Sequence, residues 1–243
     1  MNRSQSMKAV IFDCDGTLVD SEPFHYLAWK AAFEKWEYLL EKEFYIQHFS
    51  GVCDRALLKI SRELLKENHS DEILDHKHQF FQDYLAIGIA PLKSTVEFAG
   101  RLFQHKEAYG LKLAVASGAL KKEILHHLKV LQIDHYFDVI LSGADDLAEY
   151  QDPEGTNKPK PYVYLKTAKL LGLKPEECVA IEDTRTGVSS AVTAGCFTIA
   201  IPNEYTQHHD LSQAHIKLPS LAGMSIDDFL KMSLSCREFF KKV

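Results

Sequence analysis

Five short apolar runs, three of them closing on a polar residue, constrain this chain's fold more than any other feature. They are KAVIFD (8–13), LKLAVAS (111–117), YFDVIL (136–141), CVAIED (178–183) and CFTIAI (196–201). Runs of this length, largely apolar, read as strands buried on both faces. Between them lie the helix-like stretches 119–133, 162–173 and 186–195. Strands that alternate with helices predict a parallel sheet in an α/β domain.

The alternation breaks after the first run. From Glu22 to about Phe103 apolar residues recur at three- and four-residue spacings, as in FHYLAWKAAFEKW and DEILDHKHQFFQDYL, with no convincing strand. We read 19–90 as an inserted all-helical cap domain, with 1–18 and 91–243 forming the α/β core and GIAPLKST the return linker broken by Pro91. A length of 243 residues and 46% apolar content can fill such a core. After Pro219 the chain reads as a closing helix.

A net charge of −6 offers no diffuse basic field for nucleic acid or an anionic membrane. The polar start MNRSQSM carries no leader-like apolar run, so we expect a cytoplasmic protein. Five cysteines, widely spaced and without a CxxC pattern, read as reduced thiols. A monomer or weak homo-oligomer is expected.

In parallel sheets the ligand crevice lies beyond the carboxyl ends of the strands. The first run ends in Asp13 and leads to Asp15; the second ends in Ser117 and Gly118; Lys158 follows the third in NKPKP; the fourth ends in Glu182 and Asp183. Crowded carboxylates repel unless a cation sits among them, and an all-oxygen set favours Mg²⁺ over zinc. Magnesium, a lysine and a hydroxyl around one crevice suit a phosphoryl dianion. Asp13 is then the natural nucleophile, and Asp15, two residues on, the acid and base. Gly16 and Thr17 would turn the backbone and free amides for phosphate oxygens.

These residues resemble the motifs of the haloacid dehalogenase (HAD) superfamily: DCDGTLVDSE the first, ASG at 116–118 the second, NKPKP at 157–161 the third, and IEDTRTGVSSAVTAG at 181–195 the fourth. The resemblance spans about 8–205 and implies a Rossmann-like core. It implies Asp13 as nucleophile, Asp15 as acid/base, Ser117 and Lys158 on the phosphoryl group, and Mg²⁺ held by Asp13, the Asp15 carbonyl and Asp183 with Glu182 beside it. An acid at position 15 argues against carbon–halogen chemistry. The cap is similar to that of the subfamily containing β-phosphoglucomutase and the sugar-phosphate and phosphoglycolate phosphatases.

Within the cap, HYLAWKA (25–31) and SGVCDRALLKI (50–60) resemble the mutase's hinge and specificity segments. This makes His25, Gly51 and Arg55 candidate substrate contacts, along with Thr17 and Gly118. Ser50 and Asp54 stand where the mutase pattern has basic residues, with Arg55 displaced by one. A mutase must hold a second phosphate in its cap, so the sequence favours a phosphatase for a small phosphorylated metabolite. A β-phosphoglucomutase-like phosphotransferase is the alternative, and a catalytically idle phosphometabolite-binding protein a third reading. Asp145 and Asp146 read as solvated loop residues, and the pairs His126-His127 and His208-His209 as lying on solvated faces.

Overall fold

The computed structural model describes residues 7–52, 54–66, 70–86 and 88–240. The chain runs through β1 (Ala9–Phe12), β2 (Val19–Asp20), α1 (Glu22–Glu34), α2 (Lys42–His48), α3 (Asp54–Leu65), α4 (Ser70–Leu85), β3 (Ala90–Pro91) and α5 (Lys93–Tyr109). It continues as β4 (Lys112–Ser117), α6 (Lys121–Val130), β5 (Val139–Ser142), α7 (Tyr162–Leu170), β6 (Cys178–Glu182), α8 (Arg185–Ala194), β7 (Phe197–Ala200), β8 (Ile216–Lys217) and α9 (Ile226–Phe240). Six strands form one parallel sheet in the order β5-β4-β1-β6-β7-β8, an α/β core of Rossmann-like type.

β1 lies between β4 and β6 with Ile11 level with Ala114 and Ala180. Side chains alternate between the two faces of a strand. Val10, Phe12, Leu113, Val115, Val179 and Ile181 therefore face one way, against Phe98 and Leu102 of α5, Ile124 and Leu128 of α6 and Phe229 of α9. Ala9, Ile11, Ala114, Ala116 and Ala180 face the other way, against Val163, Tyr164 and Ala168 of α7 and Ala191 of α8. Alanines on that face bring α7 and α8 close to the sheet, which later allows a tyrosine of α7 to reach a carboxylate at the end of β6.

The helices α1 to α4 enclose their own aromatic cluster, in which Trp29, Phe33, Tyr45 and Phe49 are buried together with Leu57 and Ile73. Tyr205, which follows β7, completes it. The linker GIAPLKST, 88–95, differs from its sequence reading. Ala90–Pro91 forms a short strand that pairs antiparallel with Val19–Asp20, so the chain enters and leaves the helical layer side by side. Pro91 fits there because a two-stranded ribbon leaves its nitrogen outside the ladder. Two-residue strands such as β2, β3 and β8 carry no run long enough to read from sequence.

Cys14, Cys178 and Cys196 are buried and unbridged. Among the described residues no helix is long and apolar enough to cross a membrane.

Candidate active site

The Asp13 amide donates to the Ile181 carbonyl at 3.0 Å, extending the β1–β6 ladder by one bond, and its side chain emerges at the carboxyl edge of the sheet. There the Lys158 ammonium donates to Asp13 Oδ1 and to Glu182 Oε1, both at 2.6 Å, and to the Ala116 carbonyl at 2.9 Å. Tyr164 of α7 donates its hydroxyl to the same Glu182 oxygen at 2.6 Å. Asn203 donates to Asp183 Oδ2 at 2.9 Å and to the Gly16 carbonyl at 3.0 Å. Gly16 has φ +76°, and a Cβ there would sit 2.2 Å from Asp183 Oδ2. Only glycine satisfies both the left-handed turn and that approach.

Asp13, Glu182 and Asp183 bring carboxylate oxygens within 4.8 Å of one another, all buried. Were all three carboxylates ionised, the single ammonium of Lys158 would leave two negative charges uncompensated. Burial pushes Asp13 up to about 8, with Glu182 and Asp15 adding to the rise and Lys158 opposing it. Burial likewise drives Asp183 well above the usual carboxylate range, reinforced by Asp13 and Glu182. Burial works against the Lys158 ammonium, but Asp13 and Glu182 outweigh it and its pKa rises. A hard divalent cation fits this donor set: all-oxygen, buried, with an excess charge of minus two once ionised.

Asp15 faces the adjoining cavity. Its Oδ1 accepts from Ser21 at 2.7 Å and its Oδ2 from Ser117 at 3.4 Å, and Ser117 Oγ also accepts from the Ala119 amide at 3.1 Å. The cavity, about 370 Å³, is floored by Asp13, Asp15, Ser117, Gly118 and Lys158 and roofed by Glu22, His25, Trp29, Tyr45, Gly51 and Lys77. The roof is joined to the floor. Thr186, in the first turn of α8, donates to the Gly51 carbonyl at 3.0 Å, and a Cβ on Gly51 would lie 2.9 Å from Thr184 and His209. His25 stacks on Phe81 with ring centroids 4.0 Å apart. Glu22 accepts from Tyr45 at 3.0 Å, and burial pushes it up to about 7 against that hydrogen bond.

The structure thus brings together Asp13, Asp15, Ser117, Gly118, Lys158, His25 and Gly51 around one cavity. The Thr17 hydroxyl instead meets Asp183 Oδ1, at 3.5 Å, because the turn at Gly16 directs it beneath the acidic cluster. The Arg55 side chain lies outside the described residues.

Three sequence readings need correction. Asp146 is not simply solvated: it accepts from the Ser142 amide and Lys121, both at 2.8 Å, and Asp145 accepts from the Lys121 amide that opens α6. His209 is partly buried and its Nδ1 accepts from the Arg185 amide at 3.3 Å. His127 is 1% exposed, with Nδ1 3.5 Å from Asp15 Oδ1. Burial lowers its pKa, with Asp15 opposing, which favours the neutral imidazole. Sequence reasoning also missed Tyr164, Asn203, Glu22 and Asn157, whose amide donates to the Gly118 carbonyl at 2.8 Å.

Comparison with known proteins places this geometry. The family model for haloacid dehalogenase-like hydrolases matches residues 7–195. The chain is 31% identical to Protein CbbY of Rhodobacter capsulatus, over 89% of this chain and 95% of that one. It is 30% identical to the phosphorylated carbohydrates phosphatase of Thermotoga maritima, over 78% and 82%. The crystal structure of CbbY from Rhodobacter sphaeroides in complex with phosphate superposes with a TM-score of 0.73 at 25% identity, covering 93% of this chain and 99% of that chain. With four motifs in order on a parallel sheet and a matching family model, the chain belongs to the haloacid dehalogenase-like hydrolases.

Proposed function

We propose that this protein is a Mg²⁺-dependent phosphomonoesterase that hydrolyses a small phosphorylated metabolite, a sugar phosphate, through an aspartyl-phosphate on Asp13. The observation that carries the reading is Asp13 itself. It is a carboxylate at the sheet edge, bonded to Lys158 and within shared-ligand distance of Glu182 and Asp183, with Asp15 beside it on the same cavity.

Asp13 attacks phosphorus in line with the ester oxygen, while Asp15 gives a proton to the departing oxygen; Asp15 then takes one from the water that cleaves the acyl-phosphate. Lys158 and Ser117 neutralise and orient the equatorial oxygens, and Glu182, fixed by Tyr164, holds Lys158 in place. Asp13, the Asp15 carbonyl and Asp183 would hold Mg²⁺, which would supply charge neutralisation at the phosphoryl oxygens. The roof mixes aromatic faces with Glu22, His25 and Lys77, a lining suited to a sugar's ring and hydroxyls. The relative named for phosphorylated carbohydrates supports that substrate class.

The test is phosphate release and product identity with Mg²⁺ across phosphosugars, phosphoglycolate and nucleotides, with one arm containing β-glucose 1-phosphate and a trace of glucose 1,6-bisphosphate. We expect free phosphate from a sugar phosphate, and at least a thousandfold loss in Asp13→Asn. Glucose 6-phosphate without free phosphate would establish a mutase instead, and full activity in Asp13→Asn would end the mechanism.

A further inference from the structure

Next to the acidic cluster lies a second group of metal-binding character. Cys14, Asp15 and His127 bring a thiol, a carboxylate and an imidazole within 4.8 Å of one another. Cys14 is fully buried, and His127 nearly so, with neither ring nitrogen hydrogen-bonded. An imidazole left in that state costs about 1–3 kcal/mol, and packing alone gives no reason for placing one beside a carboxylate.

The spacing supplies a reason. Zinc–nitrogen and zinc–oxygen bonds of about 2.0 Å at a tetrahedral angle set their two ligand atoms about 3.3 Å apart. His127 Nδ1 and Asp15 Oδ1 are 3.5 Å apart, so the pair already has the spacing of two ligands on one ion. The thiol lies within 4.8 Å of both, against about 3.5 Å for a zinc-bound sulfur and its neighbour, so a shift of at most about 1.3 Å brings it to ligand spacing, with water in the fourth position. A sulfur–nitrogen–oxygen set selects a borderline cation such as Zn²⁺ and disfavours magnesium, which takes oxygen. The ion has a route in, because Asp15 lines the cavity.

We propose that Cys14, Asp15 and His127 form an inhibitory site for Zn²⁺, separate from the carboxylates Asp13, Glu182 and Asp183. Coordination releases the thiol proton to solvent and ties up the Asp15 carboxylate, which can then neither give nor take a proton. Binding at this site does not depend on the reaction. The inhibition rests on the reading of Asp15 as acid/base.

The test uses the full chain in excess Mg²⁺, titrated with Co²⁺ and then Zn²⁺. Co²⁺ is expected to give a near-ultraviolet thiolate-to-cobalt absorption that Zn²⁺ abolishes and added Mg²⁺ does not. Zinc should lower the hydrolysis rate at least tenfold. Cys14→Ala and His127→Phe, each normalised to its own zinc-free rate, should lose the band and require at least tenfold more zinc for the same inhibition. Asp183→Asn should keep the band although its rate is lost. Zinc-edge X-ray absorption on the wild-type protein reads the sulfur ligand at about 2.3 Å without any variant.

No thiolate band, no sulfur scatterer, a band that survives Cys14→Ala, or displacement of zinc by Mg²⁺ would each overturn the site. A band without inhibition would leave the site standing, overturn the inhibitory claim and remove Asp15 from its assigned role.

Discussion

Glu22 shows how one residue ties the roof of the cavity to the solution pH. Its carboxyl is buried beneath Tyr45, and its pKa rises from 4.5 to about 7. A raised pKa means that the folded state binds the proton more tightly than the unfolded chain. The resulting stability is complete below about 4.5 and is lost as the pH climbs through about 7. The full shift corresponds to about 3 kcal/mol. Urea unfolding at pH 5 and pH 8 should therefore show wild type losing up to about 3 kcal/mol more stability over that interval than Glu22→Gln. Parallel losses in the two proteins would place the titration elsewhere. Residues such as Asp13, Lys158 and Glu182 were legible in the sequence because each ends, or follows, an apolar run. Tyr164 was not, since nothing in YVYLKTA says that its hydroxyl reaches a carboxylate 18 residues on. His127 carried a signal that was passed over: Ile124, His127 and Leu128 share one helical face at spacings of three and four, and that face is buried.

At the scale of elements, α8 links the floor to the roof. Thr184 caps it by accepting from the Gly187 amide at 3.1 Å, and the first turn then presents Thr186 to the Gly51 carbonyl. Thr184→Ala should remove about 1 kcal/mol, typical of a lost N-cap. For a chain of this length that lowers the melting temperature by roughly 2–4 °C, measurable by calorimetry. A larger fall would mean that the contact with Gly51 had gone as well. The strands and the flanking helices were readable because their hydrophobic periods are local. β8 and the β2–β3 ribbon were not, because two-residue strands are set by their partners rather than by a run of their own.

For the whole molecule, the proposed Mg²⁺ would link stability to cation binding through the buried carboxylates Asp13, Glu182 and Asp183. A ligand that binds only the folded state at a hundred times its dissociation constant adds about 2.7 kcal/mol. Saturating Mg²⁺ should thus raise the melting temperature by roughly 5–10 °C. Asp183→Asn should abolish most of that rise while the cation-free protein melts no lower than wild type, since one of the mutually repelling carboxylates is gone. An unchanged rise would move the cation away from Asp183.

The pairing of Val19–Asp20 with Ala90–Pro91 has a consequence for how such a molecule can be modified. The two ends of the helical insertion stand one strand spacing apart, about 5 Å, close enough for a tight turn to join them. The insertion can therefore be shortened, lengthened or exchanged without moving a hydrogen bond of the parallel sheet, much as a cartridge is changed in a fixed housing. The length of the helical layer can in this sense change while β1 keeps its place between β4 and β6.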